Sequence, residues 1–172
     1  MATTYKILDK SILGSDQASL TFSSLGTYST DYTDLKIVAS IRGAIADTIR
    51  GVYISINGST SSFSQKYLRG YNTGTDSGSI ARFSGDANAA NSTANTFSSF
   101  EFYFPNFSSS NNKSYSVDWA SENNSGGSFA CDMGFIAGLW SNTSAITSIT
   151  LAFDSGNILS GSSFYLYGIK NS

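Results

Sequence analysis

Apolar and polar residues alternate along most of the chain. The stretch YTDLKIVASIRG sets four residues on each face of an extended strand: Leu35, Ile37, Ala39 and Ile41 on one, and Lys36, Val38, Ser40 and Arg42 on the other. Because successive side chains of a strand point to opposite faces, this alternation predicts a strand with one face in the core. The same period recurs in segments 52–56, 100–104, 115–119, 149–153 and 164–167.

Apolar and aromatic content predicts further strands at residues 5–13, 18–25, 65–71, 79–83 and 129–140. Breaks rich in Ser, Gly, Asn and Asp separate the strands, and Asn57-Gly58 is a strong signal for a hairpin turn. Residues 70–78 and 84–96 are expected to be long polar loops. These features predict an all-β fold, an antiparallel β-sandwich of jelly-roll type, in a single domain over residues 1–172.

The stretch SSFEFYFPNF, residues 98–107, holds five aromatic residues in ten. In an extended chain Phe100, Phe102 and Phe104 point to one face, which is predicted to be core, while Glu101 and Tyr103 point to the other. The chain's only proline follows and is expected to end the strand, because proline cannot donate to a central ladder.

The composition is poor in catalytic chemistry. The chain has no histidine, which excludes Ser-His-Asp and Cys-His machinery and His-based zinc sites. Cys131 lies among apolar residues and is interpreted as a small buried side chain. Four carboxylates could in principle supply a glycosidase pair, but each is interpreted as a charge on a solvent face or strand end: Glu101, Asp118, Glu122 and Asp132. We predict no enzyme activity, no metal site and no cofactor.

The charge pattern argues against two classes of partner, nucleic acids and membranes. Charged residues make up 13% of the chain, the net charge is −2, and no basic run occurs. Such a chain lacks the electrostatic signature of a nucleic-acid-binding protein and the polybasic signal of a membrane-surface protein. No apolar run approaches the roughly 20 residues of a membrane span, and the N-terminus has no secretory pattern. We expect synthesis in a host cytoplasm, with neither nucleic acid nor membrane as a partner.

Outward-facing aromatic residues are the remaining candidates for function. Tyrosine suits both subunit interfaces and the stacking of sugar rings. Residues 1–13 are expected to form an N-terminal arm that lies on a partner. The predicted interface residues come from this arm and from the polar faces of the strands: Tyr5, Ile7, Tyr53, Tyr103, Tyr165 and Tyr167.

Four phrases cover much of the chain: YTDLKIVASIRG, NTFSSFEFYFPNFSSSNNKSYSVDWASENN, GLWSNTSAITSITLAF and FYLYGIKNS. Together they resemble small virion proteins of tailed bacteriophages from aquatic environments. The resemblance implies a β-sandwich that forms a homotrimer and carries no catalytic residues. It implies a capsid cement (decoration) protein on the outer surface of the virion, bound to the major capsid protein.

The resemblance leaves a second function open. The chain could instead be a receptor- or carbohydrate-binding domain of a tail fibre that recognises a host surface glycan. In that case Tyr71, Tyr103 and the polar loops are expected to form a sugar platform at one end of the sandwich.

Overall fold

A computed structural model of the protein describes residues 4–124 and 131–170, and within these ranges the chain forms twelve strands and one 3₁₀ turn, Leu25–Tyr28. The strands are β1 (Tyr5–Ile12), β2 (Ser19–Phe22), β3 (Asp34–Ile41), β4 (Ile49–Ile56), β5 (Phe63–Tyr71), β6 (Gly74–Ile80), β7 (Asp86–Asn88), β8 (Ser98–Phe104), β9 (Lys113–Glu122), β10 (Cys131–Trp140), β11 (Ile149–Phe153) and β12 (Ser163–Ile169).

The strands form two antiparallel sheets. The large sheet has eight strands in the order β1-β12-β3-β8-β9-β10-β5-β6, and the small sheet has four in the order β2-β11-β4-β7. One hydrophobic core joins them, with Ile54 and Leu151 from the small sheet and Ile37, Phe102 and Val117 from the large one. The predicted all-β antiparallel sandwich is therefore confirmed.

The period-two pattern places the core side chains as expected. Phe100, Phe102 and Phe104 are at most 1% exposed, and β8 ends at the residue before the proline. Trp119 and Trp140 are also buried in the register of their strands. Alternation therefore separates the inner from the outer face of the large sheet correctly in its central strands.

Arg42 does not lie on the outer face where simple alternation put it. Strand β3 ends at Ile41, and the side chain of Arg42 is buried beyond the strand end. Its guanidinium donates to the backbone carbonyls of Ser92, Thr93 and Thr96. Segment 84–96, predicted to be a loop, is therefore anchored from inside and also contains the short strand β7.

The prediction of a hairpin turn at Asn57-Gly58 and that of a loop at residues 70–78 also need correction. Asn57 and Gly58 have positive φ values of 52° and 73°, as the turn signal requires. However, the turn closes only one bridge, from Ile56 to Ser59, and the chain then crosses to the large sheet. Segment 70–78, predicted to be a loop, is the β5–β6 hairpin, in which Tyr71 pairs with Gly74.

The expected N-terminal arm is largely a strand of the protein's own sheet. Residues 5–12 form β1, which pairs with β12 along its length and contains a register shift between Ile7 and Asp9. Leu13 is buried in the core. Residues 1–3 lie outside the described part of the chain.

Candidate functional site on the outer face of the large sheet

Exposed apolar side chains concentrate in the large sheet. Seven large hydrophobic residues are exposed among those the structure describes, and every one belongs to a strand of that sheet: Tyr5, Ile7, Ile12, Leu68, Ile80, Met133 and Phe135. The small sheet exposes no such side chain in its described residues. Because exposed apolar groups often mark contact surfaces, the large sheet is the candidate surface.

Five of the six predicted interface residues share this face. Along one row of paired positions, Tyr103 is opposite Lys36, Lys36 opposite Tyr167, and Tyr167 opposite Ile7. Tyr165 lies two positions before Tyr167 on the same strand, and the Tyr5 ring stacks on that of Tyr167 with 4.8 Å between centroids. We call this group, Tyr5, Ile7, Tyr103, Tyr165 and Tyr167, the tyrosine patch.

Tyr53, the sixth predicted interface residue, lies elsewhere. It belongs to β4 of the small sheet, where it is half-buried. Its ring packs edge-on against Phe83 and lies under the guanidinium of Arg82, 5.0 Å from the ring centroid. The structure therefore does not bring Tyr53 together with the tyrosine patch.

The hydroxyl of Tyr103 is engaged inside the molecule. It donates to Oδ2 of buried Asp34 at 2.5 Å, while Oδ1 of Asp34 accepts from the backbone N–H of Asn106 at 2.9 Å. Burial, together with this hydrogen bond, raises the pKa of Tyr103 to about 12. Only the ring of Tyr103 is therefore available to a partner.

A depression of about 600 Å³ lies beside the tyrosine patch, over β8, β9, β10 and β5. One row of paired positions across these strands contains small residues: Ser99, Ala120 and Gly70, with Met133 between the last two. The next row is larger and contains Leu68, Phe135, Asp118 and Glu101. The depression forms because the small row is the floor and the larger row is a wall.

The charge of the depression is negative. Glu101 and Asp118 are direct cross-strand partners, and Lys36 reaches Glu101 with 2.6 Å between Nζ and Oε1. No ion pair in the described part of the chain includes Asp118. Desolvation, and secondarily the neighbouring Glu101, raise the pKa of Asp118, while Lys36 opposes this effect. We call this site the acidic depression.

The other two carboxylates considered in the sequence lie away from the acidic depression. Glu122, at the end of β9, accepts from the backbone N–H of Asn124. Asp132 points inward and is fully buried, where it accepts from the indole N–H of Trp119. Of the four candidates, only Glu101 and Asp118 come together, side by side on one face.

A partly buried ionic cluster, which the sequence analysis missed, surrounds Arg69. The guanidinium lies 3.4 Å from Asp86, 3.6 Å from Asp132 and 3.7 Å from Asp76. Three carboxylates thus share one cation. Desolvation, followed by repulsion from Asp132, raises the pKa of Asp86 to about 7 although Arg69 opposes it. Because the aspartates are distant in sequence, only the sheet pairing reveals the cluster.

Cys131 is half-buried, not fully buried as the sequence predicted. It is the first residue of β10, opposite Glu122 at the end of β9. Desolvation, and then the Glu122 carboxylate, raise the pKa of the thiol. This environment disfavours the thiolate, the form that reacts.

The expected sugar platform does not assemble. Tyr103 pairs in the row of Ser116, Ala137 and Lys66, whereas Tyr71 lies five residues along β5 from Lys66, about 17 Å away along an extended strand. Tyr71 packs against the Arg69 guanidinium, 5.0 Å from the ring centroid. The two tyrosines therefore occupy opposite ends of the large sheet.

Within residues 4–124 and 131–170 the structure contains neither a metal-binding cluster nor a membrane-spanning helix. No group of three or more Cys, Asp or Glu side chains there is arranged to hold a metal ion. No helix in these ranges is long and apolar enough to cross a membrane.

Comparison with known proteins identifies no family. No protein-family model matches the chain, and no curated protein matches it. Among solved structures, that of galectin LEC-6 from Caenorhabditis elegans covers 94% of this chain and 96% of its own, with 10% sequence identity and a TM-score of 0.33. A similarity at this level carries no argument about ligand or function.

Proposed function

We propose that the protein is a capsid cement protein of the phage class that its sequence resembles. It assembles as a homotrimer and binds the major capsid protein on the outer surface of the shell. The observation that carries the proposal is the concentration of exposed apolar side chains in the large sheet. These side chains form two groups, on β1 and on β10, β5 and β6, and exposed apolar groups on an otherwise polar domain are typical of docking surfaces.

The outer face of the large sheet contains two regions that suit two contacts. The tyrosine patch, at the β1 edge, is assigned to contacts between copies of the chain, because tyrosine is enriched in the centres of interfaces. The acidic depression begins beside it on β8, where Glu101 lies two residues before Tyr103, and its Asp118 is three strand spacings, about 14 Å, from Tyr165 in the same row. It is assigned to contact with the shell.

The mechanism is mass action. A protein that binds only the assembled shell stabilises the assembled state. The stabilising free energy grows with the logarithm of the ratio of the protein's free concentration to its dissociation constant. No chemical step is needed, which agrees with a chain that lacks histidine and contains only two glutamates. A trimer would also link neighbouring capsid subunits through three copies of one contact.

A tail-fibre domain that binds a host glycan is the alternative function. Its expected platform would need Tyr71 and Tyr103 to lie together, whereas they lie at opposite ends of the sheet. The acidic depression is the remaining place where a sugar would fit. A sugar is therefore one arm of the test described below.

The experiment is sedimentation of the purified protein alone and with purified empty phage capsids. We expect a trimer that co-sediments with capsids at a copy number comparable to that of the major capsid protein. Tyr167→Ser should weaken trimerisation by at least about tenfold, as for an interface tyrosine. Tyr53→Ser, on the other sheet, is the matched control. A monomer, or a protein that does not sediment with capsids, contradicts the proposal.

A further inference from the structure

The acidic depression has the chemistry of a site for one kind of side chain. Its wall combines the exposed apolar surfaces of Leu68 and Phe135 with the carboxylates of Asp118 and Glu101. Met133, more than half exposed, lies between Ala120 and Gly70 and adds a further apolar side chain to the depression. A ligand for this site must therefore offer apolar surface and satisfy carboxylate oxygens together.

The polar groups around the depression are mostly acceptors. Lys36 is held by Glu101, and the guanidinium of Arg69, which also lines the depression, lies within 3.7 Å of Asp76, Asp86 and Asp132. Nε of Arg69 has no hydrogen-bond partner but is buried, so the accessible side-chain donors of the lining are the hydroxyls of Thr75 and Ser99. A neutral sugar needs donors and acceptors in comparable number, whereas a cation offers only donors.

The charge balance leads to the same conclusion. Glu101 and Asp118 are two negative charges on directly paired residues, and Lys36 supplies one positive charge. The net charge at the site is therefore about −1, in a position where desolvation already disfavours the second carboxylate. A positive group placed beside Asp118 would relieve that repulsion and form a charge-assisted hydrogen bond.

We propose that the acidic depression receives an arginine or lysine side chain from the docking partner. The aliphatic stem of that side chain lies against Leu68 and Phe135, and its charged head donates to Asp118 and Glu101. This inference rests on the proposed function, because it specifies the partner group that the shell presents. It predicts that docking weakens as salt is added, since charge pairing is screened.

The test uses the full chain and three soluble probes. Binding of each probe is monitored by the backbone amide signals in NMR spectra. The first probe is acetyl-Leu-Arg-Leu-amide, and the second is the same peptide with neutral citrulline in place of arginine. The third is lactose, a neutral sugar. We expect the arginine peptide to shift the signals of Ser99, Ala120 and Phe135, and the citrulline peptide to bind about tenfold more weakly.

Two variants locate the interaction. Asp118→Asn keeps the shape of an exposed side chain and removes its charge. We expect it to weaken the binding of the arginine peptide by about tenfold. Asp31→Asn, an exposed carboxylate outside the depression, should leave binding unchanged. Equal binding of the citrulline peptide, no effect of Asp118→Asn, or stronger shifts of the same signals by lactose would each overturn the inference.

The outcomes separate this inference from the proposed function. Because the peptide titration needs no capsid, an arginine-specific site on a protein that does not coat capsids leaves the inference standing and contradicts the cement function. Conversely, undiminished capsid binding by the Asp118→Asn protein, with no response to the arginine peptide, contradicts only the inference.

Discussion

Gly138 lies directly opposite Tyr115 on neighbouring strands, and the tyrosine ring covers it so closely that a Cβ on Gly138 would stand 2.3 Å from the ring carbon Cζ. The same relationship recurs four residues away on β10, where Gly134 is opposite Trp119 and an added Cβ would stand 2.4 Å from the indole. In both pairs, glycine leaves room for a large inward ring to lie across its neighbouring strand. The sheet thus buries two bulky aromatic residues without separating the strands.

Gly138→Ala should therefore destabilise the fold by about 1–3 kcal/mol, the cost of forcing an extra carbon into a packed core. Tyr115 cannot easily move aside, because it is buried and its hydroxyl accepts from the amide of Gln65 at 2.6 Å. Urea denaturation measures the change. Gly14→Ala is the control, since no atom lies within 4 Å of its added Cβ, and it should cost much less. Equal costs at the two sites would contradict the prediction.

The sequence predicts the strands in which apolar and polar residues alternate, because this alternation determines which face of the strand is buried. Phe100, Phe102 and Phe104 repeat every second residue because one face of β8 is core and the other is not, and burial of their rings is enough to fix that register. The same holds for Trp119 in β9. Here local pattern and tertiary environment agree.

A polar edge strand without an apolar face is the element that the sequence does not predict. Strand β6 consists of GTDSGSI, which has no apolar face, and its residues were predicted to be mainly loop. It is an edge strand, held by hydrogen bonds to β5 and by the Tyr67 ring, which lies over Gly78. No propensity or periodicity in such a segment distinguishes a polar edge strand from a loop.

The sequence predicts which residues of the candidate site face outward, but not which of them lie together. The patterns indicated that Tyr103, Tyr165 and Tyr167 face outward, but their common face depends on strand order. Likewise, Glu101 and Asp118 meet because β8 pairs with β9 in one particular register. A shift of that register by two residues would separate them without changing which side of the sheet they occupy.

The Arg69 cluster predicts a dependence of stability on pH. The unfolded chain releases the Asp86 proton near the ordinary pKa of 3.8, whereas the folded chain retains it until about pH 7. The folded state therefore binds more protons between these values, and the free energy of unfolding due to this group falls as pH rises through them. At about 1.4 kcal/mol per pKa unit, the full penalty, present above pH 7, is at most about 4 kcal/mol.

Asp86→Asn isolates this contribution. Relative to the wild type, the variant should gain stability as the pH is raised from 5 to 8, and chemical denaturation at several pH values measures the difference. Asp31→Asn, at an exposed position, should follow the wild-type curve. If the stabilities of the Asp86→Asn and wild-type proteins vary in parallel with pH, the assignment of the titration to Asp86 is wrong.

Arg42 predicts a local effect on segment 84–96. Its guanidinium donates to several carbonyl oxygens, including those of Ser92, Thr93 and Thr96, and burial lowers its pKa. Arg42→Met should leave these acceptors without a donor, at a cost of at least about 2 kcal/mol. Hydrogen exchange should then show loss of protection in this segment first.

The control for Arg42 is an arginine with a single backbone acceptor. Arg82 donates to the carbonyl of Ile54 at 2.9 Å and lies over Tyr53 of the small sheet. Arg82→Met should cost less than Arg42→Met and should leave exchange at residues 92–96, where the Arg42 acceptors lie, nearly unchanged. Equal loss of protection in both variants would mean that Arg42 does not anchor this segment in particular.

Tyr103 allows its structural role to be separated from its role in docking. Its hydroxyl donates to the fully buried carboxylate of Asp34, whereas its ring lies on the outer face in the tyrosine patch. Tyr103→Phe removes the donor and keeps the ring. Because the lost hydrogen bond is made to a charged and buried acceptor, we expect a cost of about 1.5–3 kcal/mol in the free energy of unfolding. Self-association should remain at the wild-type level.

Tyr165→Phe is the matched control, since no described residue forms a hydrogen bond with the Tyr165 hydroxyl, and it should change stability little. Both variants are measured by urea denaturation and by sedimentation. If Tyr103→Phe weakens self-association at concentrations where the protein stays folded, then its hydroxyl, and not only its ring, takes part in the contact. In that case the hydrogen bond to Asp34 is exchanged for a bond to the partner when the copies assemble.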